Sequence, residues 1–354
     1  MFVLDKHGHP LDPCHPARAR RLLAAGRAVV HRHTPFVIRL KDRDAAISTV
    51  EGVHVGIDPG SKHTGLAVFT PRGADRRGTY AIQLDHRGAA IRDKLTARSQ
   101  YRRRRRSANL RYRAPRFSNR TKPKGWLAPS LQHRVDTTLS QVARLTRWAP
   151  VAAVHVERVS FDTHSLSAGR PLQGAEYRQG TLAGYEVREY LLATWGRACA
   201  YCGATGLPVH PASGGRTKWN RSRTGAAKSH TLDALHVGEL ETVTVWPPVV
   251  LVVTATGRGA YARTTPDRYG FPRLVRPRIK LHHGFQTGDL VRANVPAGKK
   301  AGVHLGRVLV RSSGSFDITT RHGRVAGINH RHVRHLQRAD GYGYTTQKEA
   351  DRND

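Results

Sequence analysis

Val53-His-Val-Gly-Ile-Asp58-Pro-Gly-Ser-Lys-His-Thr-Gly-Leu-Ala67 is the stretch that decides the fold. Residues 53–57 form a short apolar run and end on Asp58-Pro59-Gly60-Ser61, whose residue types favour a tight turn. A second strand is predicted from Gly65 to Phe69 and a third from Tyr80 to Leu84. Strand, tight turn, strand and third strand make a meander with a carboxylate at the end of its first strand.

Working outward, the elements alternate. Phe2-Val3-Leu4 reads as a strand and His7 to Pro10 as a turn. Pro16 opens a helix that Gly26 stops, and strands follow at Ala28–Val30 and Phe36–Leu40. Beyond the meander, Leu131, Val135, Leu139, Val142 and Leu145 fall on one face of a helix over 131–148. Val151 to Val156 is a buried strand ending on Glu157. Residues 173–196 read as a helix, 199–228 as loop, and His230 to Leu240 as helix again. From about 247, short apolar alternations separated by Gly-rich turns predict a small β-barrel-like domain, and 340–354 reads as frayed.

The charge narrows the partner. Lys and Arg total 60 and Asp and Glu 25, a net +35 over 354 residues. That imbalance excludes an acidic disordered chain and disfavours a purely small-molecule enzyme. No apolar run reaches the ~18–20 residues that span a bilayer, and no basic amphipathic helix suggests a membrane surface. The start, MFVLDKHGHP, has no signal-peptide pattern, and three cysteines cannot build a secreted disulfide framework. A reducing cytoplasm and a nucleic-acid partner are the expectations.

The positive charge concentrates between the meander and the next helix. Arg92, Lys94, Arg98, Arg102, Arg103, Arg104, Arg105, Arg106, Arg111, Arg113, Arg116 and Arg120 face Asp93 as the only acid. No Gly or Pro interrupts 91–113, so a long helix is allowed. Ile91, Leu95 and Leu110 are too few to bury a face, and like charges at helical spacing repel. Such a helix needs phosphate around it; the bland reading is a solvated face.

Against this background three acids stand out. Asp58 and Glu157 each close a predicted strand. Asp233 follows His230 by three residues, and on a helix those two share a face, leaving Leu232 and Leu235 to anchor it. Phosphodiester hydrolysis uses this set: carboxylates hold Mg²⁺, and two ions ~3.5–4 Å apart activate water and stabilise the leaving oxygen. Asp58, Glu157 and Asp233 suit the ligand role, with Mn²⁺ an alternative ion. His230 suits a general base or a water-orienting group. Acids at strand ends also serve simply as turn caps or as counter-charges for arginine.

These motifs resemble those of a known family. The Asp58 segment is similar to the first segment of a split RuvC nuclease, Val156-Glu157-Arg-Val-Ser-Phe to the second, and Ser-His230-Thr-Leu-Asp233-Ala to the third. The arginine-rich stretch resembles the bridge helix of transposon-encoded RNA-guided nucleases. Gln179-Gly-Thr-Leu-Ala-Gly-Tyr, Gly214-Gly-Arg-Thr-Lys-Trp-Asn-Arg221 and Gly284-Phe-Gln-Thr-Gly-Asp-Leu-Val-Arg292 resemble the IscB/IsrB group. So does Pro10-Leu11-Asp12-Pro13, with Asp12 where that family's Pro-Leu-Met-Pro signature has Met. Only about thirty residues separate Cys202 from Asp233, too few for the HNH domain of IscB, so the chain resembles the HNH-less IsrB type, whether natural or engineered. Cys199 and Cys202 supply two ligands where structural zinc wants four, so zinc is not expected.

The resemblance implies an α/β fold: an RNase H-like (RuvC) core split by an arginine-rich bridge helix. It adds a small N-terminal α+β domain and a C-terminal β-barrel-like domain. The implied divisions are 1–50 for the N-terminal domain, 51–90, 121–203 and 204–250 for the three RuvC segments, 91–120 for the bridge helix, and 251–354 for a β-rich region touching guide RNA and target-adjacent DNA. The implied activity is that of a prokaryotic, monomeric, omega-RNA-guided nickase that cuts the displaced strand of double-stranded DNA. Two other classes fit parts of the pattern: an RNA-independent RuvC-type junction resolvase, and a guided or ribosomal-type binder that does not cut.

Overall fold

The computed structural model describes residues 1–107, 126–158, 207–256, 267–269, 271–273 and 279–349. Two units divide the chain. One holds Met1–Arg92, Pro123–Ala255 and Gly343–Asp354; the other holds Asp93–Lys122 and Thr256–Tyr342.

The first unit begins with β1 (Phe2–Leu4), β2 (Pro10–Leu11), α1 (Pro16–Ala24), β3 (Ala28–Arg32) and β4 (Val37–Leu40). The strands lie in the order β2-β1-β4-β3, with β1 parallel to β4. Pro16 sits in the first turn of α1, where its missing N–H would have no partner anyway, and Gly26 leaves the helix at φ +68°. Val3, Leu11, Ala19, Ala28, Ile38 and Leu40 form this subdomain's core. Buried Asp5 accepts the backbone N–H groups of His7, His9 and Ala45 and so fixes the turn between β1 and β2. Asp12 accepts from the N–H groups of Glu51 and Gly52 at 2.8 and 3.1 Å, tying this subdomain to the chain that enters the main sheet.

The chain continues with β5 (Val53–Pro59), β6 (His63–Arg72), β7 (Asp75–Asp85), α2 (Gly88–Ser107), α3 (Pro129–Trp148), β8 (Val151–Arg158), β9 (Val209–Ser213), α4 (Gly214–Arg223), α5 (His230–Leu235), β10 (Val243–Val245) and β11 (Val249–Ala255), whose strands form the main sheet. Of these, α2 belongs to the first unit only up to Arg92. The predicted meander is present: β5, β6 and β7 pair antiparallel in turn. On the far side of β5 the parallel strand β8 adds, then β9 parallel to β8. The strand order is β11-β7-β6-β5-β8-β9, with β10 also on β7 and the strand Tyr342–Lys348 (β19) on the outer side of β11.

Val53, Val55, Ile57, Leu66, Phe69 and Leu84 are fully buried. Each such side chain contributes about 1.5–3 kcal/mol of burial free energy. The helix α3 is two residues longer at its start than predicted and buries Leu131, Val135, Val142 and Leu145 of the expected face, with Leu139 only half-buried.

The second unit contains α2 from Asp93 onward, then β12 (Leu281–His282), β13 (Phe285–Gln286), β14 (Leu290–Val295), β15 (Gly302–Leu309), β16 (Ser315–Thr320), β17 (Gly323–Asn329) and β18 (Val333–Gln337). Five of these strands form an antiparallel sheet in the order β17-β16-β15-β14-β18, around Val291, Ala293, Val308, Phe316, Ile318 and Ile328. The chain ends in β19 (Tyr342–Lys348), whose residues from Gly343 onward belong to the first unit.

Four expectations are corrected. The 199–228 loop contains β9 and α4: the β9 segment completes a parallel edge on β8, and Ser213 then caps α4 by accepting the N–H of Arg216. The helix at His230 stops at Leu235 and does not reach 240, because His236 caps it and Gly238 turns the chain at φ +94°. The C-terminal region does not begin at 251, since β11 pairs along β7 from Val250 to Thr254. Residues 342–348 are not frayed but form an edge strand of the main sheet beside β11. The predicted helix over 173–196 lies outside the described residues, as do Cys199, Cys202, Arg111, Arg113 and Arg116.

Candidate active site

The register places the carboxylates. Ile57 pairs with Val156 in parallel strands, so the next residues, Asp58 and Glu157, stand side by side at the carboxyl ends of β5 and β8. Glu157 also pairs with Ala212 of β9, and α4 begins two residues later at Gly214. A Cβ on Gly214 would lie 2.9 Å from Glu157 Oε1, so the glycine makes room for the carboxylate.

The third acid and the histidine come from α5. Ser229 caps this helix by accepting the N–H of Leu232, and the His230–Asp233 spacing then puts both side chains on one face. Leu232, Ala234 and Leu235 are buried on the opposite side. Glycines let α5 lie directly on the strands. A Cβ at Gly65 would meet the His230 carbonyl oxygen at 1.8 Å, and one at Gly56 would meet that of Ala234 at 1.9 Å. Gly56 and Gly65 thus set the depth at which the helix packs.

The four side chains are electrostatically joined. His230 Nδ1 is 2.5 Å from Asp58 Oδ2, and Asp58 is only 6% exposed. That hydrogen bond raises the histidine's pKa, and the charges of Asp58, Asp233 and Glu157 add to it against the opposing effect of burial. Asp233 is also raised, first by burial and then by the charge of Asp58. Arg221 of α4 brings Nε to 2.7 Å from Asp233 Oδ1 and pulls the other way. The contact is a close ion pair rather than an aligned hydrogen bond, since no acceptor lies along that N–H.

Further residues support this site that sequence reasoning did not find. Glu349, buried just beyond β19, accepts from Ser229 Oγ at 2.9 Å and from Thr231 Oγ1 at 2.5 Å, the two hydroxyls that flank His230. His63 pairs with Asp85 at 2.6 Å, and its ring lies 6.1 Å from that of His230. The Ser-x-Thr pattern around His230 was visible, but its carboxylate partner lies more than a hundred residues away and no local signal marks it.

Among the described residues, no group of three or more His, Cys, Asp or Glu side chains is gathered tightly enough to count as a formed metal site. The donor chemistry still suits a hard divalent cation, since three carboxylates offer oxygen ligands. Arg98, Arg102, Arg103 and Arg104 are exposed on the part of α2 in the second unit, and Arg105 and Arg106 continue that helix. The Arg104 guanidinium stands 5.6 Å over the Tyr269 ring. Among the described residues no helix is long and apolar enough to cross a membrane.

The family described as RRXRR protein matches residues 1–180. Among solved structures, T. thermophilus RuvC in complex with Holliday junction substrate is similar at 19% identity, covering 52% of this chain and 90% of that one, with a TM-score of 0.27. A second Thermus thermophilus RuvC structure is similar at 20% identity, with the same coverage and TM-score. No curated protein matches the chain.

Proposed function

The chain belongs to the RRXRR protein family, and from that premise we propose that it is an RNA-guided DNA endonuclease that nicks one strand. The observation that carries the reading is the meeting of Asp58, Glu157, His230 and Asp233 at the carboxyl ends of two neighbouring parallel strands. The order β7-β6-β5-β8-β9, three antiparallel strands followed by two parallel ones, supports an RNase H-like core and with it the nuclease class. The basic helix α2 and the net charge of +35 support a nucleic-acid partner.

In this reading Asp58, Glu157 and Asp233 would hold divalent ions, Mg²⁺ or Mn²⁺. When bound, these supply charge for the pentacoordinate phosphate and its leaving oxygen. His230 handles the proton. With Nδ1 directed at Asp58, Nε2 is the nitrogen left to take a proton from the attacking water. Arg221 holds Asp233 in place by charge. The guide RNA selects the target by pairing, the displaced strand is the one cut, and Arg102 to Arg106 grip guide phosphates through bidentate contacts.

The test is a supercoiled plasmid carrying a matched target and random flanks, incubated with the ribonucleoprotein formed in cells with its neighbouring non-coding RNA. Guide-dependent and Mg²⁺-dependent open circle is the expected product. Cutting without RNA would move the assignment to a junction resolvase, and linear product would contradict a nickase.

A further inference from the structure

We propose that the outer face of α4 grips single-stranded nucleic acid and leads it to the carboxylate site; the inference rests on the nuclease reading and deepens it. The helix has two faces. Thr217 and Asn220 are buried, and Asn220 Nδ2 donates to the carbonyls of His236 and Gly238, which locks that face to the loop after α5. The opposite face carries Arg216, Lys218, Trp219 and Arg223, all exposed, and α4 contains no acid.

Trp219 is 52% exposed, an unusual position for the largest side chain in a helix whose buried face is polar. It is not idle there. The Arg216 guanidinium stands 5.0 Å from the indole centre and that of Arg223 4.6 Å. Arg223 is further fixed by donating to the Leu240 carbonyl at 2.7 Å. Two cations held against one indole at i−3 and i+4 present a preset pair of phosphate donors with an aromatic surface between them. That is the chemistry of a single-strand platform, in which phosphates meet cations and a base can exchange with a guanidinium on the ring. A duplex offers no free base to stack, so the indole favours a single strand.

The position connects the platform to the chemistry. At the start of α4, Gly214 packs against the Glu157 carboxylate; near its end, Arg221 pairs with Asp233. Lys228, exposed in the loop between α4 and α5, adds positive charge near Asp233. A strand lying along the outer face of α4 is therefore delivered beside two of the three acids.

The experiment uses the full chain in EDTA, where binding is read without cleavage. The probes are a fluorescent single-stranded oligonucleotide, the same sequence as a duplex, and a bromodeoxyuridine-substituted single strand for photo-crosslinking. Trp219→Ala is expected to weaken single-strand binding about tenfold and duplex binding less than twofold, while Trp219→Phe keeps single-strand binding within threefold. The double variant Arg216→Gln with Arg223→Gln is expected to lower the slope of log K against log salt by about 1.4, the value for two lost phosphate contacts on a single strand. Crosslinks are expected within residues 214–223. Unchanged single-strand binding in Trp219→Ala, equal losses for single strand and duplex, equal losses in the Ala and Phe variants, or crosslinks confined to other segments would each overturn the proposal. Because no cleavage is needed, these outcomes are separate from failure of the nuclease reading, which shows as absent Mg²⁺-dependent cutting by the unmodified protein.

Discussion

A methyl group at Gly65 would stand 1.8 Å from the carbonyl oxygen of His230, a distance no packed atom tolerates. Gly65→Ala therefore has to push α5 off the sheet and carry His230 and Asp233 with it. Overpacking of this kind costs about 1–3 kcal/mol. Urea unfolding should show that loss together with reduced nicking, and a variant of unchanged stability would refute the close packing. Titration adds a second residue-scale prediction. His236 is buried and its pKa is pushed down to about 4, by burial first; His86 is pushed down to about 3 by the same cause. Both are neutral in the fold and take up protons more readily when unfolded. Their contribution is fully present above pH 6.5 and is lost as the pH falls, by roughly 1.4 kcal/mol per unit for each until its folded value is reached. The raised pKa of His230 acts in the opposite sense, favouring the fold at low pH. Melting temperature should fall between pH 7 and pH 5, and a flat profile would contradict the buried neutral histidines. At this scale the candidate residues are legible from position as much as sign: in a chain poor in acids, Asp58 and Glu157 close predicted strands and Asp233 follows His230 by three. The glycines read only as turn or strand residues, because what they make room for is the backbone of a helix some 165 positions away.

At the scale of elements, the start of α5 at His230 is legible from local residues. Its Ser229 cap and Leu232 anchor are local signals. Its stabilising partner is not. Glu349 comes from the far end of the chain to hold Ser229 and Thr231, and a segment rich in polar residues gave no sign that it would pair at a sheet edge. Glu349→Ala removes the carboxylate that accepts from two hydroxyls next to His230 and leaves them only each other, 3.0 Å apart. A loss of about 1–3 kcal/mol is expected, with Glu349→Gln recovering part of it, since an amide oxygen still accepts one bond. Chemical denaturation of the three proteins checks this, and equal stabilities would dismiss the contact. The helix α2 was foreseen from its uninterrupted run and extends from Gly88 to Ser107. Replacing Arg102, Arg103 and Arg104 with Gln should lower the salt slope of RNA binding by about 2, as three lost single-strand phosphate contacts require. An unaltered slope would place those arginines away from the RNA.

At the scale of the whole molecule, the alternation of elements and the change of character near residue 250 foretold an α/β core and a β-rich region, and both are present. The boundary was displaced because strand pairing is a long-range property. The chain leaves the main sheet after β11, builds the β-rich unit, and returns in β19 beside β11. An insertion whose two ends meet at neighbouring strands leaves the host sheet intact, which is why sequence order and spatial division disagree here. The net charge of +35 was legible at once and belongs to no single element.

The nuclease assignment is tested most directly by cleavage of a target duplex labelled separately on each strand, under single turnover, by the ribonucleoprotein and its Asp58→Ala, Glu157→Ala and Asp233→Ala variants. All four should bind the target equally. The unmodified complex should cut only the displaced strand, and each variant should lose cutting by on the order of 10³-fold or more, the scale on which enzymes depend on preorganised charge. Cleavage retained in Asp58→Ala, or cutting of the paired strand, would contradict the assignment of this carboxylate cluster as the nuclease site.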